Sequence, residues 1–166
     1  MIRALLRLLA ASAGVSLYGL VQMFSGGFSR ATAASALNFY FGKEEGPVKK
    51  PAKVFLALCT TLPTSSSTGA TIVEATGATG YKRKEVPVAS IKKAEEGATS
   101  TIKNSAVIEF ANITAGSASV VGWALLDSET AKEGNVLMWG ECTTTEISTT
   151  QTPPTVAEEK LVGELK

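Results

Sequence analysis

From residue 54 onward the chain is written in short apolar runs, residues 54–61 at one end of the series and 136–143 near the other, with stretches rich in Thr, Ser and Gly between them. Runs of this kind at roughly ten-residue intervals, punctuated by turn residues, are the pattern of an all-β sandwich or small barrel. Val54-Phe55-Leu56-Ala57-Leu58-Cys59 is apolar on both sides of the pleat and predicts a central strand covered above and below. Residues 120–126 and 136–139 are the densest apolar runs. Residues 127–135 between them, with Ser128, Glu129 and Gly134, read as a hairpin loop, and Trp123 and Trp139 are expected to fill one core.

The remaining runs carry more polar residues. Residues 101–113 read as one half-buried strand with Ala106, Ile108 and Phe110 on one side and Val107 and Glu109 on the other. Residues 155–165, after Pro153-Pro154, read as a last strand. Pro87 confines residues 81–88 to an edge or a bulge, since proline cannot donate to a ladder. The charges Lys82, Arg83, Lys84 and Glu85 then read as a solvated guard on that edge. Residues 62–71, rich in Ser, Thr and Gly, predict an exposed loop.

Composition removes most enzymatic chemistry. The chain of 166 residues contains no histidine, so no Ser-His or Cys-His pair and no histidine metal cluster can form. The pairs Glu44-Glu45, Glu95-Glu96 and Glu158-Glu159 are adjacent in sequence, which in a strand sends them to opposite faces. Gly69, Gly77 and Gly80 are not followed by the strand-to-helix switch of a phosphate loop. No cofactor, metal or catalytic residue is expected. Sixteen basic against fifteen acidic residues give a net charge of +1, without the electrostatic drive that nucleic-acid binding needs. Cys59 and Cys142 lie on separate predicted strands at a spacing that fits no zinc or redox motif. They read either as two buried thiols or as a disulfide between neighbouring strands.

The first forty residues have a different grammar. Arg3 and Arg7 precede an apolar stretch over residues 8–24, and Ala31-Thr32-Ala33 resembles a cleavage site, so the segment has features of a secretory signal. As a membrane span it is weak, because Ser12, Gly14, Ser16, Gly19 and Gln22 interrupt it. Ile2, Leu6, Leu9, Ala13, Leu17, Leu20 and Phe24 follow three-and-four spacing and predict a helix with one apolar face. Gly26-Gly27 is expected to break that helix. Ser29 is placed to cap a second one over residues 30–41, with Ala33, Leu37 and Tyr40 or Phe41 on one side and Gly42 ending it. The partition expected is a two-helix arm over 1–42, a polar linker over 43–53 and a β domain over 54–166. The arm's apolar faces either pack on the chain's own β domain or dock on a neighbouring subunit; Leu6, Leu9, Leu17, Leu20, Phe24, Leu37 and Phe41 are the candidate assembly residues.

Several segments resemble, as an ordered set, a family of small tailed-phage virion proteins described as tail-fibre or head-decoration proteins. These are Leu37-Asn38-Phe39-Tyr40-Phe41-Gly42 with the 54–61 strand and Leu62-Pro63-Thr64; Gly80-Tyr81-Lys82-Arg83 with Val86; and the trio 104–110, 121–127 and 134–140. The resemblance implies a β-sandwich of jelly-roll or Ig-like type that assembles on a virion surface, commonly as a homotrimer. The partners expected are copies of the chain and the major capsid protein or another virion protein; the net charge speaks against nucleic acid, and the interrupted apolar stretch against a membrane. The resemblance transfers no catalytic residue. The expected function is a non-enzymatic capsid decoration, cement or head-fibre subunit. A tail-fibre or receptor-binding module using residues 65–76 and 127–135, and a secreted or membrane-anchored β domain, are the alternatives.

Overall fold

The longest apolar runs form the spine of the molecule. The computed structural model describes residues 25–40, 51–96, 99–150 and 153–165. Strands β8 (Ala115–Leu126) and β9 (Val136–Ser148) make one long hairpin, in register through Trp123 opposite Gly140 and Ala124 opposite Trp139. The register shifts between Val120 and Gly122, a bulge of the kind that bends a strand and increases its twist. On the outer side of β8 lie β2 (Val54–Cys59) and then β4 (Lys84–Val86); on the outer side of β9 lies β1 (Ser25–Phe28). The order is β1-β9-β8-β2-β4, all antiparallel, with the short β3 (Ala78–Thr79) paired to the start of β8.

A second set of antiparallel strands supplies the opposing surface. It consists of β5 (Ile91–Glu96), β6 (Thr99–Asn104) and β11 (Val162–Leu165) in the order β11-β6-β5, and the two-stranded pair β7 (Ile108–Glu109) with β10 (Thr155–Val156). Gly163 of β11 lies so close over β9 that a Cβ there would collide with Cε of Met138. A larger residue there would need the flexible Met138 side chain to move aside.

Both faces of the main sheet are covered. Val54, Leu56, Leu58, Val86, Trp123, Leu125 and Met138 pack toward Ile108, Phe110, Val156 and Leu161. The opposite face carries Ala57, Cys59, Ala124, Leu126 and Val136 beneath Ile72, with Trp139 half-buried beside them. Ile72 arrives on the excursion between β2 and β3. That excursion runs back along β2 through a Cys59–Glu74 bridge and a hydrogen bond from Thr60 N to Val73 O (2.9 Å). Every residue of β2 is buried, as its two-sided apolar sequence requires.

The molecule is mainly β with antiparallel sheets, and it departs from the sequence reading in four places. Gly26-Gly27, expected only as a break after the first helix, lies inside β1 and pairs with Gly140 and Trp139, and that first helix lies outside the described residues. Trp123 and Trp139 do not share a core, because residues paired across a ladder share a face and each tryptophan is paired with the other's neighbour. The single strand expected over 101–113 is two, β6 and β7, in different sheets. Likewise 155–165 is split into β10 and β11 around a turn where Glu159 has φ 61°. The edge position foreseen for the Pro87 segment holds, since among the described residues β4 pairs with β2 alone.

Candidate functional site

Three polar pins and one helix organise the surface that this body presents. The helix, α1 (Arg30–Tyr40), starts where the sequence places it. Ser29, 1 % exposed, accepts a hydrogen bond from Thr32 N on its Oγ (3.2 Å) and donates its own N–H to Leu137 O (3.1 Å), so the cap also ties the helix to β9. Arg30 N donates to Ser65 O (2.8 Å), which anchors the same end to the excursion.

Over residues 30–38, α1 turns hydroxyl and amide side chains toward the body and mostly alanine outward. The half-buried side is Ala31, Thr32, Ser35 and Asn38, while Arg30, Ala33, Ala34, Ala36 and Leu37 are exposed, Leu37 at 58 %. A surface helix ordinarily buries its apolar stripe and wets its polar one. Here the side predicted to carry Ala33 and Leu37 points away from the body. Of the candidate assembly residues, Leu37 is therefore placed on the outside; Leu6, Leu9, Leu17, Leu20, Phe24 and Phe41 lie outside the described residues. Among the described residues no helix is long and apolar enough to cross a membrane.

The first pin is Arg83, which sequence reasoning placed on a solvated edge. It is buried, its side chain 1 % exposed against 4 % for its partner Glu74. Nε and Nη2 donate to the two carboxylate oxygens of Glu74 (3.2 and 2.9 Å) in a bidentate pair. Nη1 donates to the carbonyls of Ser128 (2.7 Å) and Glu133 (3.0 Å) in the β8–β9 loop. Tyr81 completes the cluster: its hydroxyl donates to Glu74 Oε2 (3.4 Å) and accepts from Leu58 N (2.9 Å). Burial, followed by the nearby Glu74 charge, raises the Tyr81 pKa and keeps the phenol neutral. One guanidinium thus joins the excursion, the approach to β4 and the hairpin loop.

The second pin closes the loop itself. Asp127 Oδ1 accepts from Asn135 N (2.6 Å) and Oδ2 from Asn135 Nδ2 (2.8 Å), while Gly134 supplies the positive φ (84°) that the turn needs. Gly69 N donates to Gly134 O (2.9 Å), so the two loops singled out in the sequence, 65–76 and 127–135, touch. The third pin is Asn104, 1 % exposed. Its Nδ2 donates to Ala106 O and Ala157 O (both 2.8 Å) and its Oδ1 accepts from Leu161 N (2.8 Å), which locks the β6–β7 turn against the β10–β11 turn. The segments that carried the family resemblance are, in large part, these pins.

The arrangement holds loops and offers little chemistry. A cavity of about 180 Å³ lies against Glu74, Tyr81, Lys82, Arg83 and Glu129, but Arg83 and Glu74 beside it are engaged with one another, Arg83 also with the loop carbonyls and Glu74 also with the Tyr81 hydroxyl. Cys59 and Cys142 are free thiols, both buried, rather than a disulfide. Burial, with the Glu74 charge second, pushes Cys59 up to about 12; burial and Glu141 push Cys142 up to about 11. Neither is a nucleophile at neutral pH, since the reactive species is the thiolate. Glu158 and Glu159 are exposed on the β10–β11 turn. Among the described residues no group of His, Cys, Asp or Glu can hold a metal ion.

The fold and its pinned loops define a two-layered antiparallel β scaffold. A comparison with protein families places it further: residues 27–164 match the model of the family described as Podophage GP4 fiber I protein gp80. The chain belongs to this phage fibre-protein family, and its place is the virion particle. The match begins inside β1 and ends inside β11, so it takes in α1 and all three pins. No curated protein matches the chain.

Proposed function

We propose that this protein is a non-enzymatic fibre subunit of the phage particle, with a β-sandwich body displayed outward and an N-terminal arm that docks and oligomerises. The observation that carries this reading is the outward apolar row of α1. Ala33, Ala34, Ala36 and Leu37 face away from the body, with no charge between Ala31 and Tyr40 to favour water. Covering such a row contributes roughly 25 cal/mol per Å² of apolar area, of which only the surplus over ordering costs strengthens the assembly. Leu6, Leu9, Leu17, Leu20, Phe24 and Phe41 are the further docking residues in this reading. The partners are copies of the chain, in a trimer, and the capsid protein or a neighbouring virion protein, which makes the subunit a head fibre or capsid decoration.

The test is a chain that begins at residue 25, which removes the arm's first segment and keeps the edge strand β1. It folds as the full chain does and is absent from purified particles. Its recovery in virions at full occupancy would refute the docking role.

A second reading is supported by the contact between Gly69 and Gly134, which joins the 65–76 and 127–135 loops into one surface fit for receptor recognition in a tail fibre. Glycan binding by the isolated protein, abolished by substitutions in these loops, would favour it over the head-fibre reading.

A further inference from the structure

We propose that the corner where β4 and β7 meet is a contact surface for a second copy of this chain, and that the part of that copy seated on it is the outward row of α1. The proposal rests on the assembly reading above and adds which two surfaces meet.

The corner is apolar and fixed in shape. Pro87, Val88 and Ala89 are exposed on the turn that follows β4, and Ala106 and Val107 on the turn that precedes β7; Val88 is 48 % and Val107 59 % exposed. The two turns are bonded side by side, because Ser105 donates both its N–H (2.7 Å) and its Oγ–H (3.0 Å) to Ser90 O. Ser90 in turn donates N–H and Oγ–H to Pro87 O (2.8 and 2.6 Å), and Asn104 holds Ala106 O. An apolar surface already ordered before contact has little conformational entropy left to lose on binding.

Placement selects the occupant. The corner follows β4 and α1 follows β1, and these are the two opposite edges of the main sheet. Four strand spacings of about 4.8 Å separate them, so one chain cannot fold its own helix onto its own corner without crossing roughly 19 Å of sheet. Two different apolar surfaces on opposite edges suit a head-to-tail contact between copies, because a twofold contact would need both surfaces on one face of the subunit. Charge agrees with this. Glu109 is exposed on the same side of the pleat as Val107, and the one charge in the α1 row is Arg30; neither has an ion-pair partner among the described residues. The neighbouring Glu85 is already paired with Lys53 (3.0 Å).

Single variants Leu37→Cys and Val107→Cys, mixed and mildly oxidised, test the pairing, and the native Cys59 and Cys142 are buried away from the reaction. The expected product is a disulfide joining positions 37 and 107 of different chains, formed in the mixture and in neither variant alone. Self-coupling of Val107→Cys, or an assembled protein that yields no 37–107 product, overturns the proposal while leaving the assembly reading standing. A protein that light scattering finds monomeric, and that particles incorporate without its arm, sinks both. In parallel, Arg30→Glu and Glu109→Arg should each raise the dissociation concentration several-fold, and the double exchange should restore it. Additive weakening in the double variant would remove the charge pairing.

Discussion

Replacing Arg83 by alanine tests whether the hairpin loop is held by a buried charge. The guanidinium makes two hydrogen bonds to Glu74 and two to loop carbonyls in a site where both side chains are almost fully buried. Its removal strands the Glu74 carboxylate in the interior with only the Tyr81 hydroxyl for company. Breaking one side of a buried pair costs about 3–5 kcal/mol, which for a chain of this length lowers Tm by roughly 10 °C. The compensated variant Arg83→Met with Glu74→Leu removes both charges. It should return to within about 2 kcal/mol of the parent, the remainder being the two carbonyls of Ser128 and Glu133 that lose a donor at about 1 kcal/mol each. Urea unfolding at one fixed protein concentration measures all three proteins. A single variant that costs less than about 1 kcal/mol, or a double variant no better than the single, would refute the clamp.

Three further outcomes are expected. Ser29→Ala should lower stability by about 1 kcal/mol in the same unfolding assay, because Thr32 N loses the Oγ that caps α1 while the backbone bond from Ser29 N to Leu137 O stays. Asn104→Leu, which keeps the volume but leaves Leu161 N and two carbonyls without their partner, should cost about 3 kcal/mol. Cys59 and Cys142 should resist alkylation at pH 8 in the folded protein. Their folded pKa values lie above the ordinary 9.0, so the unfolded chain loses these protons first; the stability they contribute is full below about pH 9 and falls as pH rises toward 11 and then 12. Native-state alkylation followed by mass spectrometry, and unfolding across pH 8–11, check the two parts.

What the sequence made legible follows from how local each signal is. β2 was readable because six apolar residues in a row admit one environment, and the α1 cap because Ser29 acts on a neighbour three residues away. The pairing of Arg83 was hidden: Glu74 lies nine residues upstream, at the end of an excursion whose return along β2 no local pattern announces, and Lys82 and Lys84 disguise the arginine as part of a wet run. The tryptophans failed on parity. Which faces Trp123 and Trp139 take depends on the hairpin register, and a shift of one residue would have put them together. β1 has no local signature, because Ser25-Gly26-Gly27-Phe28 has no strand propensity of its own; the open edge of β9 makes it a strand. In α1 the periodicity was correct and its direction was not deducible, since only the body decides which side of a helix turns inward.

The pairing of Ser25 with Glu141 also sets a timetable. On the ribosome, residues near the amino end wait for a partner that is synthesised more than a hundred residues later, so the sheet's rim at that side closes last. Contacts so distant along the chain form slowly. Any docking that needs α1 anchored through Leu137 is thereby deferred until β9 has been made and folded.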